Sequence, residues 1–240
     1  MITSTQNTIV KDVVKLHSKK HRCQRGVFLV EGEKLYNEAI KSGYELVSMY
    51  STETKQNSIR VSENVLKAMA TTVSPQNLVA IFKQKNTCNK FFDKCIVLDN
   101  IQDPGNMGSI IRSALGAGFI NIIAVNCVDI YDPKVLRASM GAVFHTNIIQ
   151  CGFDDAIECL RSNNLQIAIG SMEGQSIFDA DFPSNIAFVL GNEGNGVSKA
   201  FRNLASCTFS IPMNQNLESL NVAVSSAILM YFYLFKKGGN

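Results

Sequence analysis

The chain has 240 residues, 46% of them hydrophobic, and its formal net charge at pH 7 is +3. This size and apolar content predict a soluble globular protein with one large or two small domains, and the modest charge excludes a polycation. The seven cysteines contain no C-x-x-C pair, so the sequence indicates neither a disulfide framework nor a metal site.

Two terminal segments bear on location and assembly. Residues 1–8 are polar and lack the cationic start and apolar core of a secretory signal, so we expect a cytoplasmic protein. The apolar run from Leu220 to Phe235 is shorter than the roughly 20 residues of a membrane span and contains Ser225 and Ser226. We predict a buried helix, no membrane contact, and a homodimer formed through the C-terminal domain, because the apolar residues cover more than one helix face.

The N-terminal region begins with a basic helix. Lys19, Lys20 and Arg22 stand close together among further lysines, an arginine and two histidines. Such a cluster suits contacts with phosphates, whereas the plainer interpretation is a solvated, lysine-rich helix face.

The rest of this region has the pattern of a small α/β module. The predicted elements are strands at Val27–Val30, Leu46–Tyr50 and Leu78–Phe82, a helix over Glu33–Ser42 that Gly43 ends, and a helix from Ser62. The polar, lysine-containing segment from Gln84 to Lys94 then marks a boundary. We therefore predict two domains, 1–84 and 93–240.

After the boundary, short apolar runs alternate with helical patterns. The runs are Ile96–Leu98, Ile122–Val125, Ile167–Ile169, Ile186–Leu190 and Phe209–Ile211. Alternation of this kind predicts a mainly parallel sheet covered by helices on both faces.

The first of three polar loops runs from Asp103 to Arg112. A turn rich in Asp, Pro, Gly and Asn leads from a buried strand directly into an amphipathic helix, so Asn106 and Arg112 can face the space beyond the strand end. Polar groups at that place commonly meet a ligand. The alternative is that Asp103 and Asn106 only shape the turn and that Arg112 is a solvated charge.

The second loop follows the strand Ile186–Leu190 and reads Gly191-Asn-Glu-Gly-Asn-Gly-Val-Ser198. Glycines permit close backbone approach, and Glu193 is a carboxylate without a basic neighbour in sequence. A dinucleotide-binding loop is the rival interpretation, but its fingerprint has a different glycine order and follows the first strand of the fold.

The third loop, from Pro212 to Asn221, precedes the apolar C-terminal helix. Ser219 is a candidate N-cap for that helix. Asn221 is expected in the first helical turn, where a buried amide needs hydrogen-bond partners.

In order and spacing, the three loops resemble the signature motifs of the SpoU (TrmH-like) family of RNA ribose 2'-O-methyltransferases, in the SPOUT superfamily. The stretch from Pro133 to Gly141 is similar to the family's middle region, and Phe28–Ala39 is similar to its ribosomal-protein-like RNA-binding domain. Two departures from the family pattern are Gln215, where a glycine is usual, and Ser109, where an alanine is usual.

The resemblance implies an α/β fold in which a C-terminal trefoil-knot domain with a mainly parallel sheet follows a small α/β RNA-binding domain. It implies methyl transfer from S-adenosylmethionine to a ribose 2'-hydroxyl, with ribosomal RNA favoured over transfer RNA as substrate. The implied site residues fall into three groups: catalytic Arg112, Asn106, Glu193, Ser219 and Asn221; cofactor-binding Gly191, Ile211, Met213 and Leu220; RNA-binding Lys19, Lys20, Arg22 and Arg137.

Within this implied mechanism, Arg112 has the central role. A guanidinium keeps its proton at neutral pH, so we expect Arg112 to bind an RNA phosphate and stabilise the developing alkoxide, while that phosphate or a water takes the proton. Glu193 is expected to anchor Arg112 or a loop N–H. Three alternatives remain open: a non-catalytic RNA-binding protein of the same fold, a transfer RNA ribose methyltransferase, and a base methyltransferase of the same superfamily.

Overall fold

The computed structural model describes residues 1–85, 92–192 and 194–238. In chain order its elements are α1 (Thr8–Lys15), α2 (Lys19–Arg25), β1 (Val27–Glu31), α3 (Glu33–Lys41), β2 (Leu46–Ser51), β3 (Ile59–Arg60), α4 (Glu63–Met69), β4 (Leu78–Lys83), β5 (Lys94–Asp99), α5 (Pro104–Gly116), β6 (Asn121–Val125), α6 (Pro133–Ala138), a 3-10 turn (Ala142–His145), β7 (Asn147–Cys151), α7 (Phe153–Ser162), β8 (Gln166–Ser176), β9 (Ile186–Gly191), α8 (Lys199–Arg202), β10 (Cys207–Ser210) and α9 (Val222–Lys236). Each helix among them is too short or too polar to cross a bilayer.

The described chain forms two compact units. Described residues of 1–85 and 129–144 make the first unit, and those of 92–128 and 145–238 make the second. The predicted division into 1–84 and 93–240 differs from these units in the segment 129–144. That segment lies within the sequence of the second domain but packs with the first unit.

The first unit is built around a four-stranded sheet in the order β1-β4-β2-β3, with the β2–β3 pair parallel and the other pairs antiparallel. Alternation along β1 sends Val27 and Leu29 into the core that also contains residues of α1 and α4. Phe28 points to the opposite face, where it stacks on Tyr131 with ring centroids 4.4 Å apart. The segment 129–144 therefore covers a sheet face that would otherwise expose aromatic side chains.

The second unit contains a six-stranded parallel sheet in the order β10-β8-β9-β5-β6-β7. Its central strands are buried along most of their length, as their continuous apolar runs predict. In the register of the β5–β9 pair, Asp99 lies opposite Gly191. Because both strands end at this point, the loops that follow them start side by side at the carboxyl edge of the sheet.

The predicted strands and helices correspond to observed elements, with local differences. The basic N-terminal helix is two helices, α1 and α2. Strands β3 and β7 were not predicted: β3 has only two residues, and β7 is an edge strand with mixed burial. The parallel α/β architecture is confirmed, whereas the trefoil knot stays a prediction.

Candidate active site at the carboxyl edge of the parallel sheet

The loop after β5 is shaped by its own side chains. Asp103 is the N-cap of α5, and its Oδ1 accepts a hydrogen bond from the Asn106 backbone N–H at 2.7 Å. Pro104 occupies the first helical turn, where its missing N–H costs nothing. This capping places Asn106 at the entrance of α5 with its side chain half-buried.

Asn221 joins the first loop to the third. Its Nδ2 donates to Asn106 Oδ1 at 3.0 Å, across 115 positions of sequence. Its Oδ1 accepts the N–H groups of Ala223 and Val224, at 2.9 and 3.4 Å, so Asn221 is the N-cap of α9. Since the oxygen must face these two donors, the amide nitrogen is directed at Asn106.

This arrangement corrects two expectations for the third loop. Asn221 is an exposed N-cap and not a buried amide within the first turn of the helix. Ser219, the predicted N-cap, is exposed two residues before the helix cap, and the observed N-cap of α9 is Asn221.

Arg112 lies on α5 with an exposed side chain. Within residues 1–85, 92–192 and 194–238, no hydrogen bond or ion pair involves its guanidinium. Asn106 and Asn221, which meet at the start of α5, are neutral amides and do not compensate the charge of Arg112. A free guanidinium of this kind is suited to binding an anion such as a phosphate.

The loop after β9 folds tightly back on its own start. A Cβ on Gly191 would lie 2.1 Å from the carbonyl carbon and oxygen of Gly196, so only glycine fits there. Asn192 Oδ1 accepts the N–H groups of Gly194 and Asn195, at 2.8 and 3.3 Å. Glu193, which was predicted to act in this loop, lies outside the described residues.

One residue at this edge was missed by the sequence analysis. Asp99 ends β5 with only 6% of its surface exposed, and its Oδ2 accepts the Ser198 N–H at 2.7 Å. The available signal was a carboxylate directly after the apolar run Cys95–Leu98. Such a side chain is placed at the carboxyl end of a buried strand and needs a hydrogen-bond partner there.

The predicted cofactor-binding residues of the third loop are half-buried. Ile211, Met213 and Leu220 are apolar residues outside helices and strands, in the segment between β10 and α9. Among the described residues, the backbone groups of Met213 and Leu220 make no hydrogen bond to other backbone groups. This donor and acceptor set, beside apolar surface, fits a nucleoside-containing ligand that is held largely through backbone contacts.

The predicted RNA-binding residues all lie in the first unit, and they differ in availability. Lys19 and Lys20 are exposed on α2. Arg137 is half-buried, and its Nη1 donates to Thr71 Oγ1 at 2.8 Å and to Glu31 Oε1 at 3.3 Å.

Arg22 is a correction to this group. It is 1% exposed, and its guanidinium contacts the Asp129 carboxylate at 2.7 Å and the carbonyl oxygens of Leu16 and His17 at 2.9 Å. A guanidinium with its donors used in this way is not available to RNA, so the prediction that Arg22 binds RNA is wrong.

Comparison with known proteins agrees with the geometry of both units. Residues 93–231 match the model of the SpoU rRNA Methylase family. The chain belongs to this family. Residues 7–80 separately match the MRM3-like substrate binding domain. The SpoU region contains the residues placed at the carboxyl edge of the parallel sheet, and the resemblance of the three loops is thereby confirmed.

Relatives of this SpoU chain match it over nearly its full length. The 23S rRNA (guanosine(2553)-2'-O)-methyltransferase RlmP of Bacillus subtilis is 31% identical over 96% of this chain and 97% of its own. The crystal structure of the AdoMet-bound rRNA methyltransferase from Sinorhizobium meliloti matches with a TM-score of 0.90 and 28% identity, over 98% and 97% of the two chains. A crystal structure of an RNA 2'-O ribose methyltransferase matches with a TM-score of 0.84 at the same identity, over 98% of each chain.

Proposed function

We propose that this chain transfers the methyl group of S-adenosylmethionine to a ribose 2'-hydroxyl of 23S ribosomal RNA, acting in the cytoplasm. The observation that carries the proposal is the contact between Asn106 and Asn221, which joins two family motifs at the carboxyl edge of a parallel sheet, where the same helix α5 carries Arg112, exposed and without an ion pair among the described residues. The family membership and the named activity of the Bacillus subtilis relative support the same reaction.

The residues at the carboxyl edge fit S-adenosylmethionine as the methyl donor. Gly191 is a backbone position without a side chain, and Ile211, Met213 and Leu220 are half-buried apolar residues of the segment between β10 and α9. When bound, the cofactor supplies an electrophilic methyl carbon. These four residues would hold it.

The chain's own catalytic task is to align the 2'-hydroxyl and to stabilise the charge that develops on its oxygen. Arg112 binds the adjacent phosphate and lowers the energy of the alkoxide, because its guanidinium stays charged and faces no carboxylate among the described residues. Asn106 and Asn221, fixed by their mutual hydrogen bond, orient the hydroxyl, and Ser219 assists in placing the ribose. The proton passes to the phosphate or to water.

The proposal is tested with RNA from a strain that lacks this chain. Purified protein and labelled S-adenosylmethionine are incubated separately with 23S rRNA, 16S rRNA and total transfer RNA from that strain. We expect label in 23S rRNA alone, at one nucleotide, for which the guanosine named for the Bacillus subtilis relative is the first candidate. Label confined to transfer RNA would overturn the substrate, and cofactor and RNA binding without label would favour a non-catalytic RNA-binding protein.

We also propose that the chain is a homodimer through the outer face of α9. This helix is predominantly apolar on more than one face, yet Val224, Tyr231 and Phe235 are 48%, 50% and 78% exposed. A helix of this composition is normally buried on every side. Analytical ultracentrifugation should give a dimer that Phe235→Asp dissociates, whereas a wild-type monomer at micromolar concentration would contradict the proposal.

A further inference from the structure

Asp99 is a buried carboxylate with a specific partner. It ends β5, is 6% exposed, and accepts the Ser198 N–H through Oδ2 at 2.7 Å. A carboxylate is costly to bury unless it is hydrogen-bonded, and a bond from N–H to an ionised oxygen is among the stronger ones in proteins. This costly group lies at the strand end where the first and second loops of the site start side by side.

Asp99 lies at both ends of the loop 191–198, through its backbone at the start and through its side chain at the end. At its start, Gly191 pairs with Asp99 in the register of the β5–β9 ladder. At its end, Ser198 is bonded to the Asp99 side chain. Asn192 Nδ2 adds a contact to the Asn100 carbonyl at 3.4 Å, and an isolated bridge joins Asn192 to Gly196.

The strand end that carries Asp99 is itself held in place. The Cys127 thiol donates to the Leu98 carbonyl at 3.2 Å and accepts the Ile101 N–H at 3.3 Å. The Asn100 N–H donates to the Val125 carbonyl at 2.9 Å, which ties the same turn to β6. The Asp99 carboxylate is therefore presented from a fixed backbone.

We propose that Asp99 is a positioning residue for the cofactor: it holds the loop 191–198 closed, so that Gly191 presents its backbone to S-adenosylmethionine. The inference rests on the proposed function, because that function assigns the loop to the cofactor. Asp99 acts through Gly191 and Ser198 without touching the cofactor. Losing the bond leaves the Ser198 N–H unsatisfied and allows the loop to relax away from its bound form.

The test measures S-adenosylmethionine affinity of the full chain by isothermal titration calorimetry, together with the separate KM values for cofactor and RNA. We expect Asp99→Ala to raise the cofactor Kd and KM roughly tenfold, as for a lost charge-assisted hydrogen bond, while the RNA KM is unchanged. Asp99→Asn retains an oxygen acceptor in the same place and should restore binding to within about threefold of wild type.

A second variant removes the donor in place of the acceptor. Ser198 has φ −61°, which suits proline, so Ser198→Pro deletes the N–H without forcing the φ angle of the loop. It should raise the cofactor Kd as Asp99→Ala does. The double variant that combines Asp99→Ala with Ser198→Pro should bind the cofactor no more weakly than the weaker of the two single variants, because both changes remove the same hydrogen bond.

The matched control is Asn163→Ala. Asn163 is equally buried, and its Oδ1 accepts the Phe92 N–H at 2.9 Å near the amino end of β5, at the opposite edge of the sheet. It should lower Tm without changing the cofactor Kd. The inference would be overturned if folded Asp99→Ala or Ser198→Pro bound the cofactor with wild-type affinity, or if Asn163→Ala lost as much cofactor affinity as they do. The proposed function would be overturned instead if the wild-type chain bound no S-adenosylmethionine.

Discussion

Arg22 and Arg112 are the same residue in opposite settings. Arg22 comes from the most basic stretch of the sequence, yet it is 1% exposed and bonded to Asp129, more than 100 positions away. Arg112 is the single arginine of the amphipathic helix α5, and its side chain is exposed and has no ion-pair partner among the described residues. Local charge density in the sequence therefore wrongly indicated that Arg22 is free, because the partner that neutralises a guanidinium can come from anywhere in the chain.

Mutation of Arg22 and mutation of Arg112 should therefore change different properties of the protein. The Arg22–Asp129 pair joins α2 to the segment 129–144 within the first unit, so we expect it to act on stability. Arg112 has no structural partner among the described residues, so we expect it to act on catalysis.

The largest expected effect is on the stability of Arg22→Ala. Removing one member of a buried ion pair leaves Asp129 buried and unpaired, which costs about 3–5 kcal/mol of the free energy of unfolding. Urea denaturation measures the change. The exposed neighbour variant Lys20→Ala should stay within about 0.5 kcal/mol of wild type, and equal stability of the two variants would remove the distinction between buried and free cations.

The next effect is on the catalysis of Arg112→Ala. Single-turnover methyl transfer should fall by roughly two or more orders of magnitude, since the variant loses the charge that stabilises the alkoxide. S-adenosylmethionine affinity and Tm should match wild type. A variant that turns over normally, or that loses cofactor affinity to the same extent, would show that Arg112 has another role.

The sequence could predict a feature where the feature depends on neighbouring residues, and could not where it depends on a contact between residues far apart in sequence. Strands such as Ile186–Leu190 were predictable because burial on both faces requires a continuous apolar run. The loop motifs were predictable because the family resemblance covers them. The N-cap role of Asn221 and the pairing of Arg22 with Asp129 were not, since each depends on which of several polar groups meets a distant or competing partner.

The segment 129–144 shows the same limit at the level of domains. A single cut near residue 84 follows from composition, but the return of this segment to the first unit depends on Phe28 stacking on Tyr131. Neither residue carries a local signal of that contact. A sequence division by linkers cannot detect a domain assembled from two separated pieces of chain.

A smaller effect is expected from the free cations of α2. The double change Lys19→Ala with Lys20→Ala should weaken RNA binding and lower the slope of log Kd against log salt by about 1 to 2, because each lysine that contacts a phosphate releases counterions. Filter binding over a range of salt concentrations measures the slope. The control is Lys67→Ala, an exposed lysine on α4, and an equal response there would assign the effect to overall charge.

The smallest expected effect is on pH-dependent stability, and it comes from Glu31. Burial alone would raise the pKa of this carboxyl, but hydrogen bonds from Thr71 and Thr72 and the nearby charge of Arg137 together lower it. A lowered folded-state pKa contributes stability that is present above the unfolded pKa of about 4.3 and is lost as pH falls through the folded value.

Glu31→Gln tests this sign. Wild type should lose more stability than the variant between about pH 5 and pH 3, as measured by urea denaturation at each pH. Parallel pH profiles for the two proteins would mean that the hydrogen bonds to Glu31 do not favour its charged form.

The chemical identity of the product tests the central claim most directly. RNA labelled by this chain with methyl-labelled S-adenosylmethionine is hydrolysed completely in alkali, and the fragments are separated by size. A 2'-O-methyl group removes the hydroxyl that alkaline cleavage requires, so we predict that the label appears in dinucleotides. Label in mononucleotides would place the methyl group on a base and would contradict the assignment of Arg112 and its neighbours to ribose 2'-O-methylation.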